Sequence, residues 1–187
     1  MRKRTKIALI VLAVIIVLVA VLGSIVFLDV AAYTATGSTT ITPTGSSLGK
    51  AIVIYDPGLS GAAKGVADKV AADLRSSGYT VTLAGIKSSA AAHTTGYKII
   101  VVGGPVYGDA FTASVKACLN NLMPDQGAKV GVFGSGDFVA TSSDITMMKN
   151  SVSALSSTGT LSNAVVVKIA QSENLATRAQ DFVNQLT

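Results

Sequence analysis

The chain has 187 residues, of which 49% are hydrophobic and 13% charged, with a net charge of +5, one cysteine and one histidine. A lone cysteine excludes an intrachain disulfide, and one His with one Glu cannot build an ordinary zinc site, so no metal is expected. The charge misleads: four of the fifteen basic residues fall in the first six positions, leaving eleven Lys/Arg against nine Asp/Glu from Lys50 onward, a balance that gives nucleic-acid binding no support.

Residues 1–6, M-R-K-R-T-K, form a basic tail, and Ile7 to Leu28 follow without a charge. Twenty-two such residues in a helix span roughly 33 Å, enough for a hydrocarbon core of about 30 Å, so 7–28 reads as a single-span membrane anchor. Arg2, Lys3, Arg4 and Lys6 precede it and no Lys or Arg follows before Lys50, which predicts a cytoplasmic N-terminus and an extracytoplasmic domain at the cell membrane. A cleaved signal peptide is the competing reading, since Ala31, Ala32 and Ala35 offer small residues, but its apolar region usually runs only about 7 to 15 residues. Residues 29–49 are rich in Thr, Ser and Gly and read as a flexible linker with a reach of about 25 Å.

Residues 50–187 have the size of one domain. Short apolar runs alternate with helical periodicity, the pattern of strands joined by crossover helices. The predicted strands are 51–55, 80–84, 98–102, 129–133 and 164–169. The predicted helices are 61–76, 110–122, 144–155 and 174–186, and the link 85–97 is short or irregular. Cys118 shares the apolar face of the second helix with Phe111, Val115 and Leu122 and reads as core, as do Met147 and Met148 in the third. The expected fold is a three-layer α/β sandwich around a five-stranded parallel sheet of order 2-1-3-4-5, with its ligand crevice at the ends of strands one and three.

Two segments flank that crevice. The first strand ends in Y-D-P-G-L-S-G-A-A-K, from Tyr55 to Lys64, a glycine-bearing turn at a helix N-terminus whose unpaired N–H groups and dipole suit a phosphate. Ser60 adds a hydroxyl and Lys64 a charge, although a serine that merely caps the helix looks identical. The third strand runs through K-I-I-V-V-G-G-P-V-Y-G, from Lys98 to Gly108, into what reads as a rigid glycine-rich loop in which Tyr107 presents a face to a flat ring.

Together with K-V-G-V-F-G-S-G-D-F, from Lys129 to Phe138, these segments resemble the flavodoxin family, whose first loop typically reads Ser-x-Thr-Gly-Asn-Thr around the FMN phosphate. Ser60-Gly61 matches the central Thr-Gly, and the likeness extends over nearly all of 50–187. It implies an FMN-binding electron-transfer or quinone/flavin oxidoreductase domain with an unknown redox partner. By that resemblance Gly58, Leu59, Ser60, Gly61, Ala62 and Ala63 hold the phosphate. Pro105, Val106, Tyr107 and Gly108, with Gly134, Ser135, Gly136, Asp137 and Phe138, border the isoalloxazine, and Tyr107 or Phe138 stacks on it. The departures fall at the phosphate: Ala62 and Ala63 stand where the family has Asn and Thr, and Asp56 where it has a hydroxyl. They support an alternative, a flavodoxin-like module that no longer binds FMN and acts as a binding or scaffold domain.

Gly45-x-Ser47-x-Gly49 matches a nucleophile elbow, but it precedes a strand instead of following one, and His93 is the sole available base. His93 reads as a solvated loop residue.

Overall fold

A computed structural model describes residues 3–27 and 35–187. Helix α1 covers Lys3–Phe27. Among the described residues no helix is long and apolar enough to cross a membrane. The single-span anchor expected over 7–28 is therefore unsupported, and with it go the membrane as a partner, the cytoplasmic N-terminus and the extracytoplasmic placement of the domain. Leu28 and the linker up to residue 34 lie outside the described residues.

Largely apolar runs supply β2 (Gly49–Tyr55), β4 (Ile99–Tyr107) and β6 (Lys129–Gly136) inside the sheet and β7 (Val165–Ala170) at one edge. β3 (Tyr79–Gly85) lies beside β2. These five pair in parallel, in the spatial order β3-β2-β4-β6-β7. Strands covered on both faces bury successive side chains, which is why residues 51–54 and 99–102 are apolar without alternation.

Helices α2 (Ala62–Ser76) and α5 (Leu175–Asn184) cover one face, where Val66, Val70, Leu74, Phe182 and Val183 meet Val53, Val101 and Phe133. Helices α3 (Ala113–Asn120) and α4 (Ser142–Asn150) cover the other around Ile52, Ile54, Ile100, Val102 and Val132. Met148 is fully buried there, whereas Met147, expected beside it in the core, is 44% exposed.

The expected five-stranded, all-parallel sheet is corrected on two counts, because among the described residues the sheet has seven strands of mixed direction. Strand β1 (Ser38–Ile41) pairs antiparallel with β3, from Ser38 opposite Ala84 to Ile41 opposite Val81. It comes from residues assigned to the linker, so the boundary drawn at residue 50 leaves one strand out and cuts into another. β1 is polar because it is an exposed edge: the Thr40 and Thr82 hydroxyls lie 3.3 Å apart, and only Ile41 packs on the core. By pairing with β3 it covers the edge that the inner strand would otherwise expose. Strand β5 (Ala110–Phe111) pairs antiparallel with the end of β4. The link 85–97 holds only a 3-10 turn at Ala90–Ala92.

Candidate functional site

The glycines read as a loop after the third strand lie inside β4, and those of Gly134-Ser135-Gly136 lie inside β6. Packing explains why. A Cβ on Gly103 would stand 2.3 Å from the Phe133 ring, one on Gly104 would meet Val115 and Asp56, and one on Gly134 would meet Val106 and Met148. Gly134 thus makes room inside the core, and the glycines there serve close packing more than approach to a ligand. The turn comes later: Tyr107 pairs with Ala110, and the intervening Gly108 and Asp109 have φ of 56° and 59°. Positive φ at both central residues of a two-residue hairpin matches strand twist, and Gly and Asp tolerate it best.

The loop after β2 runs beside this hairpin. Tyr55 pairs with Gly103, the Asp56 N–H donates to the Gly103 carbonyl at 2.9 Å, and a Cβ on Gly58 would come within 2.9 Å of the Pro105 ring. Gly58, with φ of 65°, therefore lies directly against Pro105. Asp56 points inward and is 1% exposed. Its carboxylate accepts from the Gly58 N–H at 3.0 Å, from the Thr112 hydroxyl at 3.1 Å and from the Ser114 hydroxyl at 2.5 Å. The acid that the sequence sets beside a phosphate is thus spent on anchoring the loop to the start of α3.

Helix α2 begins from this loop with Gly61 as its N-cap at φ 74° and no side-chain cap on that residue. The Ser60 hydroxyl accepts from the Ala62 N–H at 3.3 Å. The N–H groups of Gly61, Ala63 and Lys64 have no acceptor among the described residues, so three donors and the positive end of the helix dipole face outward. The Lys64 ammonium pairs with Asp68 at 2.8 Å and sits 5.9 Å from the Tyr55 ring centroid. Its pKa is raised chiefly by the hydrogen bond to Asp68.

Around the same end of the sheet Leu59, Tyr107, Phe138 and Val139 are 53%, 40%, 79% and 59% exposed. Pro105 pairs with Ser135, which sets Tyr107 at the end of β4 and Phe138 just beyond the end of the adjacent β6. The nearby acids are compensated: Lys168, 6% exposed on β7, lies 3.2 Å from Asp109 and 3.8 Å from Asp144, and Gln171 donates to Asp137 at 2.8 Å. Gly58 to Ala63, Pro105 to Gly108, Ser135 and Asp137 to Phe138 all belong to this end of the sheet, whereas Gly134 faces the core beneath α4. Sequence reasoning passed over Thr112, Ser114 and Lys168. Only Lys168 left a signal, as a charge inside the apolar run V-V-V-K-I-A.

No protein-family model and no curated protein matches this chain. Among solved structures, a short-chain flavodoxin associated with a bacterial microcompartment superposes with a TM-score of 0.53 at 20% identity, over 74% of this chain and 97% of that one. The fold is flavodoxin-like. The Flv1 flavodiiron core from Synechocystis sp. PCC6803 gives a TM-score of 0.50 at 18% identity, and there 76% of this chain corresponds to 36% of that one. In this flavodoxin-like domain the loop after β2 and the β4–β5 hairpin share the carboxyl rim of the sheet, where open α/β sheets bind their ligands.

Proposed function

We propose that the domain binds FMN at this rim and works in electron transfer, as a carrier or as a quinone/flavin oxidoreductase. The observation that carries the proposal is the contact of Gly58 with Pro105 beside the open N-terminus of α2, which brings backbone N–H donors and the exposed Tyr107 and Phe138 rings to one rim of the sheet. The residues fit the group. Gly61, Ala63 and Lys64 offer N–H donors to the phosphate, Asp56 is turned away from it, and Tyr107 or Phe138 offers a face to the ring system. When bound, FMN supplies the redox chemistry.

The chain's own part is to orient the flavin and set its electrostatic surroundings. Carboxylates near a flavin disfavour its anionic reduced form, but Lys168 offsets Asp109, so this domain's reduction potential is expected to lie above those of flavodoxins with a densely acidic rim. The test is fluorescence titration of the purified full chain with FMN. Quenching with saturation at micromolar FMN is expected. Absence of binding at near-millimolar FMN would instead support the second reading, a flavodoxin-like binding or scaffold module, which Ala62 and Ala63 favour because neither has a side-chain donor.

A further inference from the structure

Lys168 is the one charged residue in the β7 run V-V-V-K-I-A, and it is buried. Register sets it opposite Gly134, where a Cβ would meet Val106 and Met148, so the lysine stem lies in the same layer, beneath α4. The stem then passes Gly136, where a Cβ would stand 3.2 Å from Lys168 Cε. Its ammonium ends 3.2 Å from Asp109, at the tip of the β4–β5 hairpin, and 3.8 Å from Asp144, in the first turn of α4. One cation thus joins three segments that leave the sheet separately. Two of them frame the exposed rings, because Asp109 follows Tyr107 by two residues and α4 follows the segment that carries Phe138. Gln171, the residue after β7, holds Asp137 in that same segment at 2.8 Å. Nothing in the packing requires a charge at position 168. Methionine would continue the apolar run, and desolvation so far offsets the attraction within a buried ion pair that stability gives little reason to keep one.

The geometry points to Lys168 as a positioning residue for the flavin ring, which holds the Tyr107 hairpin against the Phe138 segment and fixes the charge beside the ring. The inference rests on the FMN reading and deepens it by naming the residue that couples the two ring-bearing segments. Loss of the ammonium has two separable consequences. The hairpin is released from β7 and α4, and Asp109 and Asp144 are left without their cation, which adds uncompensated negative charge at the rim. Negative charge disfavours a flavin that has gained electrons more than one that has not. Loss of the Asp109 charge does the reverse, because Lys168 then keeps only the more distant Asp144.

The experiment measures the affinity of the full chain for oxidised and for reduced FMN in wild type, Lys168→Met and Asp109→Asn, with backbone hydrogen exchange of each protein before FMN is added. Asparagine tolerates the φ of 59° at position 109, so that variant keeps the hairpin turn. Lys168→Met is expected to bind reduced FMN about tenfold more weakly relative to oxidised FMN, which lowers a two-electron potential by about 30 mV. Asp109→Asn is expected to shift the same ratio the other way. Exchange at residues 108–110 should quicken in Lys168→Met. A lysine with only a structural role would move the ratio in the same direction in both variants, or not at all. Either result, or unchanged exchange at the hairpin, would overturn the inference and leave the FMN reading standing. If Lys168→Met does not fold, Asp109→Asn decides alone, and a ratio within twofold of wild type overturns the inference. A wild-type protein that binds no FMN would overturn both.

Discussion

Asp56 offers the sharpest single perturbation, because its role was inverted between sequence and structure. Replacing it with alanine removes the acceptor for three donors, the Gly58 N–H and the Thr112 and Ser114 hydroxyls. Hydrogen bonds to a charged group contribute about 1.5 to 3 kcal/mol each, and a buried donor left without a partner costs about 1 to 3 kcal/mol. Thr112 is 6% exposed and keeps only the Ser114 hydroxyl, 3.1 Å away, as a partner, whereas the Gly58 loop and Ser114 are less deeply buried and regain water. The net loss should be about 3 kcal/mol, which for a domain of this size lowers Tm by about 6 to 12 °C. Thermal and urea melts of Asp56→Ala, with Thr112→Val and the double variant completing a cycle, would measure it, and the double variant should lose clearly less than the sum. Asp56→Asn keeps the shape and removes the charge, so FMN affinity should change little. A loss in Asp56→Ala below about 0.5 kcal/mol, or FMN binding more than about threefold tighter in Asp56→Asn, would show that the carboxylate faces the ligand and refute the reasoning.

Other outcomes follow from particular contacts. Gly103→Ala should destabilise the domain by about 3 kcal/mol or more, seen as a fall in the urea midpoint, because the new methyl would collide with the Phe133 ring. Asp144 has its pKa lowered below 3.8, first by the Thr141 N–H of its capping box, then by the Thr141 hydroxyl and, less strongly, by Lys168. A folded-state pKa below the unfolded one adds stability above about pH 3.8 that is lost as pH falls through the folded value, so Asp144→Asn should flatten the acid limb of a stability-against-pH curve only below about pH 4. Burial pushes the Cys118 thiol up from 9.0 to about 11. Between those values the folded thiol stays largely protonated, so iodoacetamide at pH 9.5 should alkylate it far more slowly than in urea.

The sheet was legible because its inner strands are buried on both faces and so are written as unbroken apolar runs such as Ile99 to Val102. What stayed hidden depended on partners remote in sequence. Ser38 to Ile41 looks like linker by composition and becomes a strand only because β3 presents an open edge to it. The glycine strings at 103–104 and 134 looked like loops because glycine usually marks turns, but here they make way for Phe133, Val106 and Met148, whose proximity no local pattern encodes. Asp56 looked hostile to a phosphate because Thr112 and Ser114 lie more than fifty residues away. The uncharged run at 7–28 reads as a membrane span by its length and flanking charge, a reading the structure does not uphold.

The central claim is that one cleft, bordered by the loop at Gly58 and the hairpin at Tyr107, takes up both ends of a flavin mononucleotide. Backbone hydrogen exchange of the full chain with and without saturating FMN tests it most directly. Slowed exchange at residues 58–64 together with 106–109 and 135–139 is the expected result. Protection confined to one of those segments, or appearing at the opposite end of the sheet around Gly96 and Lys129, would contradict it.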